Sequence, residues 1–174
     1  LAWAMLAKIA IEQNQLSQAE NNIEQALQLS RLGGLGDDLG LEHLILARLR
    51  QCQNEMAAAY ECLEQAEKYL EAHQSERVAN WLAAIRVRLA LLNNDLKDAE
   101  GGADHYDGQV RTQPVEYLRE FEDITLAIVR IAQGRFEAAL QIFAPLVDQA
   151  HCEKRGWVCL EGHILLSRCE MAEK

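Results

Sequence analysis

Two prolines, Pro114 and Pro145, are all that the 174 residues contain. Aromatic side chains make up only 6% of the chain, and Leu and Ala carry the apolar content. Few helix breakers and little β-branched alternation argue against sheet and for an all-α chain. No apolar run reaches the ~18 residues of a membrane-spanning helix, and no signal peptide is evident. Basic residues are scarce: 17 Lys and Arg against 27 Asp and Glu, a net charge of −10. That balance disfavours general nucleic-acid binding, which needs a basic footprint. Walker and G-x-G-x-x-G patterns are missing, and no Ser-His-Asp or Cys-His spacing stands out. An enzymatic role, a cofactor, a metal, a membrane contact and a direct nucleic-acid contact are therefore not expected. The five cysteines are odd in number and scattered along helical patterns, as reduced thiols of a cytoplasmic protein would be.

What the chain has is self-similarity with a period of 40 residues. Ala19, Ala59, Ala99 and Ala139 align. Three residues before each lies an apolar side chain: Leu16, Met56, Leu96, Phe136. Five before each lies a turn former: Asn14, Asn54, Asn94, Gly134. Such a period marks a solenoid, whose repeats build extended binding surfaces rather than buried clefts. The reading is nine helices. Helix A covers about 1–13, 39–52, 76–92, 115–133 and 156–173; helix B covers about 16–31, 56–72, 96–106 and 136–152. The repeats span about 1–38, 39–75, 76–114, 115–155 and a partial 156–174, within one domain (1–174) cut from a longer protein. The repeated Ala marks a close crossing of helices A and B.

The connections between repeats are read as the longer ones. The first, 32–40, holds Gly33, Gly34, Gly36 and Gly40, with Asp38 expected to cap the next helix. Gly101-Gly102, Asp107-Gly108 and Pro114 mark an irregular stretch at about 101–116. Pro145 is expected to kink or end its helix near Ala144.

Asn14-Gln15-Leu16-Ser17-Gln18-Ala19, followed by Ile23 and Ala26-Leu27, resembles the tetratricopeptide (TPR) pattern. Gly134-Arg135-Phe136-Glu137-Ala138-Ala139-Leu140, followed by Phe143, repeats it. A TPR-like α–α superhelix, a right-handed solenoid, is the fold this implies. The run from Val115-Glu116-Tyr117-Leu118-Arg119-Glu120-Phe121 to Leu126-Ala127, then Ala132–Leu140, then Arg155-Gly156 and Leu160-Glu161, resembles the sensor region of large ATP-dependent LuxR-type bacterial regulators of the MalT type. The resemblance implies an effector-sensing domain that controls DNA binding supplied by other domains. Its partner would be a small-molecule inducer or a protein, with self-association possible. The alternative is a TPR scaffold that binds an acidic or helical peptide of a partner protein.

The period also aligns candidate site residues. Repeat position 8 reads Lys8, Arg48, Arg88, Ile128, Arg168: four cations in an acidic chain. On helix A this position is expected to face the concave groove, as a ladder for an acidic or phosphorylated ligand. Position 1 reads Leu1, Leu41, Trp81, Phe121, Glu161, which puts Trp81 and Phe121 beside that ladder as stacking surfaces; Trp157 lies one turn before Glu161. Cys159 and His163, at i and i+4, lack further ligands for a metal. His105 with Asp104 and Asp107 forms a weak polar cluster.

Overall fold

A computed structural model describes the backbone of residues 1–73, 76–107 and 120–172, less the side chains of 70, 71, 73, 76–78, 104–107, 157, 170 and 172. Among the described residues nine helices follow one another: α1 (Ala2–Glu12), α2 (Leu16–Gly33), α3 (Gly36–Cys52), α4 (Met56–His73), α5 (Glu76–Leu92), α6 (Leu96–Asp107), α7 (Glu120–Ala132), α8 (Phe136–Cys152) and α9 (Gly156–Ala172). No strand occurs among them. The fold is all-α and TPR-like, as expected.

The turn between helices A and B has one local cause, used four times. Asn14, Asn54, Asn94 and Gly134 take φ of 56°, 63°, 58° and 72°. This left-handed conformation suits Gly, and Asn better than other residues with a Cβ. It reverses the chain in a Schellman arrangement. The next residue's N–H reaches five residues back, from Gln15 to Ala10, Glu55 to Arg50, Asp95 to Ala90 and Arg135 to Arg130, at 2.8–2.9 Å. Lys154, between α8 and α9, has φ 58° and the same bond from Arg155 to Ala150.

Contacts gather into two compact units, Leu1–Leu89 and Ala90–Lys174. In the first, α1 packs on α2, α2 on α3 and α3 on α4, and α1 also touches α3. Its core joins Ala4, Ala7, Ala19, Ile23, Ala26, Ile45 and Leu49. In the second, α6 packs on α7, α7 on α8 and α8 on α9. Leu126, Val129, Phe143, Leu146 and Cys169 are buried there. Ala19, Ala59, Ala99 and Ala139 are all fully buried, as a close crossing requires.

Three expectations are corrected. The connection 32–40 shrinks to Gly34 and Leu35, because Gly33 completes α2, Gly34 caps it at φ 65°, and α3 begins at Gly36. Asp38 is therefore not the cap: it lies in the first turn of α3, where its charge favours the helix N-terminus. The residues beyond an ordinary TPR period lie in long helices of 17 and 18 residues, not in connections. Pro145 does not end its helix, and α8 runs on to Cys152. Pro145 and Gln141, whose carbonyl loses its helical donor, both face solvent, so water can satisfy that group. Helix α6 runs through Gly101-Gly102 to Asp107. The rest of the 101–116 stretch, Pro114, and the start of the helix expected from 115 lie outside the described residues, as do the side chains of Asp104, His105, Asp107 and Trp157.

Candidate ligand-binding face

The first unit gathers four of the six candidate residues on α1, α3 and α5. Lys8 projects from α1, and its Nζ stands 5.1 Å from the centre of the Trp81 ring on α5. At that distance the ammonium and the ring attract through the ring quadrupole. Trp81 is half-buried and, like Met5 and Leu41, packs against the unit's core. A residue of the first helix A thus meets a residue of the third, and the sequence period had placed both on one face.

Arg48, on α3, pairs with Glu12 of α1 at 2.9 Å. Its charge is therefore balanced within the face. Position 12 holds Glu12, then Cys52, Leu92 and Ala132, so this carboxylate occurs in only one unit. Arg88 is half-buried on α5. The expected ladder is thus uneven: Lys8 stands over an aromatic ring, whereas Arg48 is in an ion pair. Phe121 and Arg168 belong to the second unit. Phe121 is half-buried on α7, and its carbonyl accepts a hydrogen bond from Thr125 Oγ1 at 2.7 Å. Arg168 is exposed on α9.

Helix α3 also carries two buried polar residues, Glu42 and His43. Glu42 is fully buried and accepts a hydrogen bond from Ser30 Oγ at 2.7 Å. Burial raises its carboxyl pKa above the usual range. His43 stacks on Tyr69 with ring centres 5.7 Å apart. Burial, helped by the nearby Arg31 charge, lowers the imidazole to about 4, so it is neutral at pH 7.

Sequence reading missed a set of clamps between successive repeats. Arg50 holds both oxygens of Glu20, at 2.5 and 3.1 Å, and Gln53 adds a bond to Glu20 at 2.8 Å. Eighty residues on, Gln133 bonds Glu100 at 3.0 Å and Arg130 bonds Gln133 at 2.8 Å. The recurrence of Glu, Arg and Gln at a doubled period is the signal that could have found them. The Arg50 bonds hold the Glu20 carboxyl below its usual range. Arg155 similarly joins the turn before α9 to buried Glu120 of α7, and its Nε bonds Glu153 at 2.7 Å.

Among the described residues no group of three or more His, Cys, Asp or Glu could hold a metal ion. All five cysteines are free thiols, with Cys52 and Cys152 exposed. No helix among these residues is long and apolar enough to cross a membrane.

Paired helices with a left-handed turn, a buried alanine at each crossing and a residue-lined helix-A face define a tetratricopeptide-like domain. Residues 1–171 match the family described as the MalT-like TPR region. The chain belongs to that family. No curated protein and no solved structure shows significant similarity to it.

Proposed function

We propose that this chain is the effector-sensing domain of a LuxR-type ATP-dependent transcription regulator. It would receive a small-molecule inducer or a partner protein on its helix-A face and control DNA binding carried by other domains. The family match over residues 1–171 carries this reading. The Lys8–Trp81 contact is its chemical handle: a ligand with a planar or sugar face can stack on Trp81, and an anionic group can draw Lys8 away. Arg48 and Arg88 lie on the same series of helices, and Phe121 and Arg168 are the matching candidates in the second unit. A ligand acts as a switch only if it binds two states of the domain unequally.

The test is a thermal-shift screen of sugars, sugar phosphates, nucleotides and dicarboxylates against the chain. A ligand at about 100 times its Kd should add about 2.7 kcal/mol of stability. Trp81→Ala and Lys8→Ala should each weaken a hit by at least about tenfold. A hit indifferent to both substitutions would move the site elsewhere. A gene encoding neither an ATPase upstream nor a helix-turn-helix domain downstream would overturn the regulator reading.

A further inference from the structure

Charges of both signs sit side by side on the helix-A face of the first unit. Lys8 and Glu12 stand four residues apart on α1, a spacing that puts both side chains on one side of the helix. Lys8 holds its ammonium over the Trp81 ring, and Glu12 reaches across to Arg48 of α3. Cys52 follows Arg48 by about one turn. It lies near enough for the charges of Arg48 and Glu12 to act on its thiol.

Glu12 is paired less completely than the other glutamates that meet arginine in this unit. Arg50 binds both oxygens of Glu20, and Arg86 binds both oxygens of Glu67 at 3.1 and 2.7 Å. Glu12 meets Arg48 through Oε1 at 2.9 Å, whereas its Oε2 is buried and accepts no hydrogen bond among the described residues. A carboxylate oxygen shut away in this manner gains when a donor reaches it.

These groups select a ligand by the order of its charges. A ring that stacks on Trp81 takes the place of the Lys8 ammonium, and an anion on the same ligand keeps that ammonium compensated. The anion then lies close to the Glu12 carboxylate, which repels it unless the ligand also brings a cation. An ammonium beside the anion meets both needs, because it also donates to Glu12 Oε2. A neutral sugar brings no counter-charge for Lys8. A dicarboxylate sets a second anion beside Glu12.

On the reading that this face binds a ligand, we propose that the ligand is a free α-amino acid with a flat side chain. Its carboxylate pairs with Lys8, its ammonium with Glu12 Oε2, and its ring lies on Trp81. Glu12 is then the residue that distinguishes an amino acid from a plain carboxylate.

Isothermal titration calorimetry of the 174-residue chain with L-tryptophan, L-tyrosine, L-phenylalanine and L-histidine tests this. Each is compared with its deaminated acid and its decarboxylated amine. At least one amino acid should bind with Kd below about 1 mM, and both of its truncated counterparts at least about tenfold more weakly. Glu12→Gln keeps the shape and removes the charge. It should weaken the amino acid by about tenfold or more, yet strengthen the deaminated acid, which no longer meets a like charge. The bound amino acid should also slow alkylation of Cys52 relative to that of Cys152, the other exposed thiol. No binding of these amino acids up to about 10 mM overturns the proposal. So does an affinity indifferent to Glu12→Gln, or a deaminated acid that binds as tightly as its parent. A sugar, phosphate or dicarboxylate that depends on Trp81 and Lys8 but not on Glu12 overturns the amino acid and keeps the face as a ligand site. If no ligand of any class depends on Trp81 and Lys8, both fall.

Discussion

Asn54 shows how one residue controls a helix pair. Its φ of 63° lies where a β-branched side chain collides with its own backbone. Asn54→Val should therefore cost about 1–2 kcal/mol, whereas Asn54→Gly should be neutral or slightly stabilising. Urea melts of the two variants check this. A Val variant as stable as the parent would mean that the turn is not held in this conformation. His43 makes a different residue-scale prediction. Its pKa falls from an ordinary 6.5 to about 4 on folding. A lowered value means that the unfolded chain takes up the proton first. Its contribution is thus complete above about pH 6.5 and is lost as pH falls toward 4, amounting to about 3 kcal/mol. Glu42, raised by burial, works in the opposite sense: its contribution is present in acid and is lost as pH rises through its folded value. His43→Phe keeps a ring against Tyr69 and removes the proton site. His43's share of the acid-side loss should then vanish from stability measured across pH 4–7, leaving that of carboxylates held low by arginine, such as Glu20. A pH profile parallel to that of the parent would refute the assignment.

At the scale of elements, Gly162 marks a close approach between α8 and α9. A Cβ on Gly162 would lie 2.3 Å from Val147 Cγ2, so the valine side chain or a helix would have to shift. Gly162→Ala should cost about 1–3 kcal/mol by overpacking. Adding Val147→Ala removes the colliding methyls and should recover part of the loss, although that change alone leaves a cavity. A double-mutant cycle with no coupling would refute direct contact. Ala59→Leu carries the same penalty at the crossing of α3 and α4.

The helix pairs were legible in sequence for this reason. A small residue at each crossing and a left-handed turn residue five positions earlier are local requirements, and they recur at a fixed spacing. The junctions between repeats were not legible, because Gly33, Gly34 and Gly36 read as loop while only Gly34 uses its conformational freedom. The first and last belong to helix ends. That α8 continues past Pro145 was not legible for a related reason: the cost of a proline in a helix depends on whether the freed carbonyl meets water, which needs the fold. At the candidate site, the period placed Lys8 and Trp81 on one face. It did not foresee Glu12 beside Arg48, since that pairing depends on how far two side chains reach across adjacent helices.

Over the whole molecule, stability should be local, because helix packing among the described residues joins only near neighbours in the chain. Lys8 with Trp81 is a longer link, from α1 to α5. The Arg50–Glu20–Gln53 clamp ties the second repeat to the first in a bidentate geometry, with both ions mostly covered at 23% and 27% exposure. Coupling of such a pair is about 1 kcal/mol. Glu20→Ala should therefore weaken the junction of α2 with α3 more than it lowers the global melting temperature. Hydrogen exchange resolves the two. Amides of α1 and α2 should exchange about fivefold faster in the variant, the rate equivalent of that coupling. Amides of α8 and α9, in the other unit, should keep the rates of the parent. Uniform acceleration along the chain would show one cooperative block, in which a ligand on the first unit would stabilise α9 as much as α1. Confined acceleration would mean that a ligand bridging Lys8 and Trp81 stiffens its own repeats first.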